Sequence, residues 1–571
     1  MTRRLAVPAA CAGLALLTFF QFPGHTWLQQ DTQIWVPILE HLRDPSVLRN
    51  DILTRQTHVA FTLYDEIALF LRALTGLSFE HILEFEQLLT RALGIWGLLL
   101  CGQAMKLPAR SAWLAAGICS LGAMILGPQV LTFEYEATPR AFAVPLLLCA
   151  IGLAARGRYT GASVAGAAAL LYHPPTALPF WAIYLPWIVF RRRFRALIPL
   201  LAGMAILLLA AWRQAGSGWP ILSRLTPFQE QLERLRGAYV WISTWGGPTM
   251  LHWFLVCAIA LAAYLRIRRA IPPELRVFLL GLPALALLLM PVSWLLLEHW
   301  KWALVPQVQP LRTLLFAALA MQFLTAAAGA RAQRWAEATL WFFLAYLLPL
   351  QARLTGPWSA RAALVALGLA LLTALAMRPA AIGRSKRPGK PATGTEIPRG
   401  GVLCSQRVSG AEFRSQSPLF RLDEFFHGLL APAAVLAAFF AIPLLGGVVN
   451  YPHLHTPELA QLSAWARTAT PQDAVFLFPD AGRGLDAGIF RSQALRAVYV
   501  DWKGGGQVNY LKDFGEQWWP RWQQTMVPGF KPADIPSYRA RGIGYIVLKP
   551  RDALPETAVF SNGRYVVYAL R

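Results

Sequence analysis

Apolar runs of about 18 residues or more recur along this chain, each long enough to cross a hydrocarbon core of about 30 Å as a helix. They predict membrane helices near residues 5–22, 85–104, 111–130, 139–155, 159–176, 177–191, 196–213, 248–266, 274–297, 311–329, 335–352, 359–378 and 427–448, about thirteen in all. Residues 25–84 interrupt the pattern. Within them Ile34, Trp35, Ile38, Leu39 and Leu42 recur at helical spacing, which predicts an amphipathic helix lying on the membrane interface. Asp44-Pro45 and Asp51-Ile52 read as further helix starts.

After residue 450 the period changes. Helix-like PELAQLSAWARTA and NYLKDFGEQWWPRWQQT alternate with the short apolar runs AVFLFPD, AVYVDW and GIGYIVLKP, the pattern of a small α/β domain. Ser561-Asn562-Gly563 between two apolar runs predicts a terminal hairpin. The expected fold class is therefore mostly α: a polytopic membrane helix bundle with a small C-terminal α/β domain. The expected boundaries are a membrane domain over 1–378 with a large loop at 23–84, a basic linker at 379–426, a last span at 427–450, and the α/β domain at 451–571.

Charge orients these elements. Lys and Arg total 53 against 30 Asp and Glu, but the excess is not the footprint of a nucleic-acid binder. The cations cluster at every second connection: Arg3/Arg4, Lys106/Arg110, Arg156/Arg158, Arg191–Arg195, Arg266/Arg268/Arg269, Arg331/Arg334, and the run from 378 to 399. Cytoplasmic loops carry such clusters. The alternation places the N-terminus in the cytoplasm and residues after about 450 outside. An uncleaved first helix fits residues 5–22 better than a signal peptide. The six cysteines have no zinc spacing and suggest no disulfide framework.

Candidate chemistry sits at the outer connections. Asp31 opens the amphipathic loop helix. It suits an N-cap and equally a carboxylate that takes a proton from a hydroxyl just outside the bilayer. Glu134, Glu136 and Arg140 surround Thr138-Pro139, the start of a membrane helix. A cation in a first helical turn opposes the helix dipole and needs a partner. The two glutamates supply one, or Arg140 faces a cavity and binds an anion. His173 precedes Pro174-Pro175 at a helix break, where irregular backbone is tolerated if it lines a cavity. Arg312 repeats the Arg140 pattern, a cation just after a proline. Two such arginines suit a phosphate or diphosphate group. There is no P-loop, GxSxG, HExxH or GxGxxG signature, which argues against ATP-driven transport by this chain alone. Asp501 to Gly506 is glycine-rich without phosphate-loop spacing and reads as a plain loop.

A short N-terminus, one helix, a long helical loop with an early Asp31 and many further helices together resemble the GT-C superfamily of membrane glycosyltransferases. The stretches 462–476 (LSAWARTATPQDAVF) and 496–503 (RAVYVDWK) resemble a group of bacterial multi-pass proteins with GT-C-like membrane halves. The resemblance implies transfer of a sugar from a polyprenyl-phosphate-linked donor in the membrane to a glycan, lipid or protein acceptor, with inversion. It makes Asp31 the base, Glu134 or Glu136 a second acid or metal ligand, and Arg140 and Arg312 the holders of the lipid phosphate, with His173 beside them. It leaves room for a divalent cation such as Mg or Mn, although Asp31 lacks a paired acid, its neighbours being Gln30 and Thr32. A transporter or flippase of a lipid-linked or anionic substrate, and a non-catalytic scaffold of the same fold, are the alternatives.

Overall fold

The computed structural model describes residues 2–20, 26–29, 31–54, 62–213, 222–354, 359–377, 429–440, 454–510 and 512–570. The expected basic linker, 379–426, and Cys404 lie outside the described residues, as do both ends of the expected last span, of which Leu429–Phe440 is helical.

Helices dominate. Among the described residues four are long and apolar enough to cross a membrane: Phe194–Trp212, Gly247–Ala270, Pro273–His299 and Val305–Arg331. One segment departs from expectation. The run 111–130 is helical only over Ala109–Ser120, and Met124–Ile125 then pairs with Val130–Leu131 as an antiparallel hairpin. Gly127 takes φ +82° there, and a Cβ on it would stand 2.8 Å from the Trp245 ring. Apolar content alone does not separate a buried hairpin from a buried helix. The break expected at His173-Pro174-Pro175 falls there, between Tyr159–Tyr172 and Pro174–Phe190, because Pro174 and Pro175 fit a first helical turn but not a helix interior.

Helices Phe79–Ala104 and Pro139–Ala155 pack backbone to backbone. A Cβ on Gly97 would lie 2.2 Å from the Leu148 carbonyl oxygen, and one on Gly152 would lie 2.3 Å from that of Gly97. Small residues permit this approach, and dispersion and close contact hold it in lipid. It fixes the height of Arg140, one residue into the second helix.

The C-terminal sheet runs in the spatial order Ala497–Val498, Val475–Leu477, Tyr545–Leu548, Val566–Ala569, Phe560–Ser561. Its first three strands are parallel and the last two join antiparallel. The expected terminal hairpin is there, with Asn562 Oδ1 accepting from the N–H groups of Arg564 and Tyr565.

This α/β part docks on the first loop, which corrects the interfacial reading of the loop helix, Thr32–Arg43. Ile34 and Ile38 are buried with Leu477, Tyr499 and Trp518. Leu39 is buried with Tyr64, Leu459 and Phe476. Amphipathic spacing shows that a helix has an apolar face, not what covers it. Asp44 is not a helix start either. It ends Thr32–Arg43, and its carboxylate accepts from the Ser46 backbone N–H and hydroxyl. Asp51 is fully buried in an ion-pair triad instead of opening a helix. Arg491 Nε donates to Asp51 Oδ2 at 2.7 Å, and its Nη2 donates to Asp501 Oδ1. Both carboxylates also accept backbone N–H groups, Asp51 from Leu53 and Val498, Asp501 from Gly504. Polar contacts extend the seam: Arg49 pairs with Asp473 at 2.6 Å, and a His455 ring nitrogen meets the Trp27 carbonyl at 2.7 Å.

Arg491→Met should leave two buried carboxylates uncompensated, at a cost of about 3–5 kcal/mol. Thermal melting of the detergent-solubilised full chain should show this as a large fall in Tm, with limited proteolysis cutting first in the C-terminal part. Gly97→Val should lower Tm through overpacking worth about 1–3 kcal/mol. An unchanged Tm would contradict the backbone contact.

Candidate active site

The site begins with a carboxylate that holds the backbone. Glu136 is 2% exposed. It accepts from the N–H groups of Gln29 (2.8 Å), Asp31 (2.6 Å) and Thr32 (3.3 Å), and from the Thr32 hydroxyl (2.7 Å). A carboxylate at a helix N-terminus receives charge-assisted bonds and a favourable dipole. Glu136 therefore caps the loop helix from 105 residues away in sequence. Asp31 occupies the N-cap position but makes no capping bond with its side chain. Its carboxylate points elsewhere, to Lys503 Nζ at 2.7 Å.

Around that pair the other expected residues gather. Arg140 is 7% exposed and donates from Nε to Glu134 Oε1 at 2.8 Å. Glu134 is held in turn by the Leu131 N–H at 3.0 Å. Arg140 and Arg312 both lie within electrostatic reach of Asp31 and of His173. His173 Nδ1 accepts from the Thr176 N–H at 3.2 Å, so this histidine also caps the helix that follows it. Burial opposes ionisation of Asp31, but Lys503, Arg140 and Arg312 outweigh it and hold its carboxyl down at about 2.

Sequence reasoning missed Lys503, Tyr510, Tyr239 and Gln309. Lys503 was read as part of a plain glycine-rich loop. Its position follows from Asp501, two residues earlier, which the Arg491 triad pins, and from Gly504–Asn509, a tight turn that starts on an Asp501 carboxylate contact. The Tyr510 hydroxyl accepts from Gln309 Nε2 at 3.2 Å, and Arg312 lies over the Tyr239 ring at 5.6 Å. No local signal in the sequence links residues 31, 239, 309 and 503. The one hint was Lys503 beside a run of three glycines.

The donor set does not fit a divalent cation. Among the described residues no group of three or more His, Cys, Asp or Glu is placed to hold one. Asp31 faces an ammonium, Glu134 a guanidinium, and Glu136 backbone donors. What the arrangement offers is one ionised carboxylate paired with an ammonium, with two guanidinium groups within electrostatic reach. That combination suits a hydroxyl to be deprotonated beside a phosphate to be held.

Glu136→Gln replaces an acceptor oxygen with an NH2 that faces N–H donors. It should cost about 1–3 kcal/mol, read as a lower Tm. The Asp31–Lys503 pair has its own pH signature. The depressed carboxyl of Asp31 contributes stability that is present above the unfolded carboxylate value, about 3.9. That contribution is lost as pH falls toward 2. Lys503→Met should flatten the pH dependence of Tm across that window, and an unchanged profile would show that the pair does not form.

Residues 457–525 match a family described as a domain of unknown function (DUF6798). No curated protein matches the chain. Among solved structures, the chain is similar to ArnT from Cupriavidus metallidurans in the apo state, at 13% identity and TM-score 0.43, over 100% of this chain and 98% of that one. It is similar to ArnT from Cupriavidus metallidurans bound to undecaprenyl phosphate, at 13% identity and TM-score 0.45 over the same shares. It is also similar to the arabinofuranosyltransferase AftD from Mycobacteria, at 16% identity and TM-score 0.42, over 97% of this chain and 36% of that one.

Proposed function

We propose that this chain is a GT-C-type membrane glycosyltransferase of a bacterial inner membrane, working on the periplasmic face with a polyprenyl-phosphate-linked sugar as donor. The observation that carries the reading is Asp31 paired with Lys503 and within electrostatic reach of Arg140 and Arg312. These residues come from the first loop, two helix starts and the C-terminal part, yet they share one site.

The chemistry follows from those groups. An acceptor hydroxyl oxygen attacks the anomeric carbon, with inversion, as the bond from that carbon to the phosphate oxygen breaks. The leaving polyprenyl phosphate keeps the bonding electrons. Arg140, Arg312 and Lys503 stabilise the charge that develops on it. Asp31 takes the hydroxyl proton. While Lys503 grips Asp31 the carboxylate is a weak base. Arrival of the donor phosphate gives Lys503 a second anion, and sharing it raises the proton affinity of Asp31 at the moment a base is needed. Glu134 and Glu136 act as positioning residues, the first on Arg140 and the second on the backbone of Asp31.

The test is transfer from a polyprenyl-phosphate sugar to acceptor in proteoliposomes. Asp31→Asn should lower the rate about 10²–10⁴-fold while polyprenyl phosphate still binds. Arg140→Gln should weaken that binding about tenfold or more, since a buried charge-assisted contact is lost. Full transfer activity in Asp31→Asn refutes the assignment. Movement of the lipid-linked sugar across the bilayer without bond cleavage would replace it with the transport reading.

A further inference from the structure

Three short segments meet beside Asp31, and each contributes two residues. Arg236 and Tyr239 end the external helix Pro227–Arg236 and begin the turn after it. Gln309 and Arg312 belong to the turn that opens the helix Leu314–Arg331. Asn509 and Tyr510 close the tight turn of the Lys503 loop. The segments are linked in a ring. Arg312 lies over Tyr239, Asn509 Nδ2 approaches the Tyr239 hydroxyl at 3.4 Å, and Gln309 Nε2 donates to the Tyr510 hydroxyl at 3.2 Å.

The ring carries hydrogen-bonding capacity that the protein does not use. Asn509 and Gln309 are each 3% exposed, yet Asn509 Oδ1 and Gln309 Oε1 have no partner. Arg236 Nε and Arg312 Nε are likewise buried atoms without one. Such groups cost stability when left unpaired and are normally satisfied. Gln309 also holds a left-handed backbone at φ 48°, where a non-glycine residue is strained. Unused acceptors and unused donors occur together, beside two phenol rings. A sugar matches that set, because each hydroxyl both donates and accepts, and its apolar ring face packs on aromatics. A lone phosphate would use the donors and leave both amide oxygens unpaired.

We infer that this ring is the subsite for a sugar unit, the one whose hydroxyl is presented to Asp31. The inference rests on the transferase reading for the role of Asp31, while the sugar-binding claim stands on the ring itself. Asp31 and Arg140 both act electrostatically on Tyr510, so the ring lies within electrostatic reach of the reacting carboxylate. Arg312 belongs to both places, with its guanidinium shared between the donor phosphate and the bound sugar.

The experiment uses the full chain in nanodiscs and follows tryptophan fluorescence, since Trp502 stacks against Arg236 at 3.8 Å. The probes are glucose, galactose, mannose, arabinose and glucuronate, each titrated alone, with polyprenyl phosphate titrated separately. At least one sugar should give a saturable change. Asn509→Ala and Gln309→Ala should each weaken it tenfold or more and leave polyprenyl-phosphate binding unchanged. If no sugar in the panel gives a saturable signal, or if both variants bind as the parent does, the subsite is refuted. If either variant loses lipid phosphate binding in parallel with sugar, the ring is a structural support and the inference falls. Ring-dependent sugar binding with no polyprenyl-phosphate binding would keep the subsite and overturn the transferase reading.

Discussion

Everything in the site depends on a buried arginine held between two carboxylates from distant parts of the chain. Arg491 ties Asp51 of the first loop to Asp501 of the C-terminal part, with all three side chains at most 3% exposed. In so dry a setting the pair attraction is strong, but so is the penalty for taking the charges out of water. The triad is therefore better understood as a register device than as a source of stability. It permits one seating of the α/β part on the loop. Lys503 follows two residues after Asp501, and Asp31 lies on the helix against which that part packs.

A second constraint works from the membrane side. The glycine contact between Phe79–Ala104 and Pro139–Ala155 sets the level at which Arg140 emerges. Glu134 and Glu136 precede that helix start. One orients Arg140, and the other gathers the backbone of residues 29–32. Because Glu136 does the capping, Asp31 is relieved of it. This division of labour turns a residue that would otherwise close a helix end into one that faces cations.

Much of this was legible in the sequence, for identifiable reasons. Helices are written locally, so the apolar runs found the helices, four of which are long and apolar enough to cross a membrane among the described residues, and the period change after residue 450 found the α/β part. Asp31, Arg140, His173 and Arg312 were singled out because charge beside a span, or a proline break, is costly without a purpose. Their convergence was not legible, since it depends on tertiary packing. The same gap explains the errors. The apolar face of Thr32–Arg43 was assigned to lipid when a protein domain covers it, and Asp51 was assigned to a cap when its partner lies 440 residues away. The Tyr239–Gln309–Asn509 ring carries no local pattern, and Lys503 only the run of three glycines beside it. Only their shared neighbourhood gives them meaning.

The most direct test of the central claim, that the first loop and the C-terminal part build one reacting site, is a double-mutant cycle on transfer rate. Asp31→Asn, Lys503→Met and the pair would be measured under identical conditions. If the two groups act as one unit, the double variant loses clearly less than the product of the two single losses, because residues that act together are non-additive. If the two losses multiply as independent effects, or if Lys503→Met alone changes nothing, the two halves do not share a site and the account is wrong.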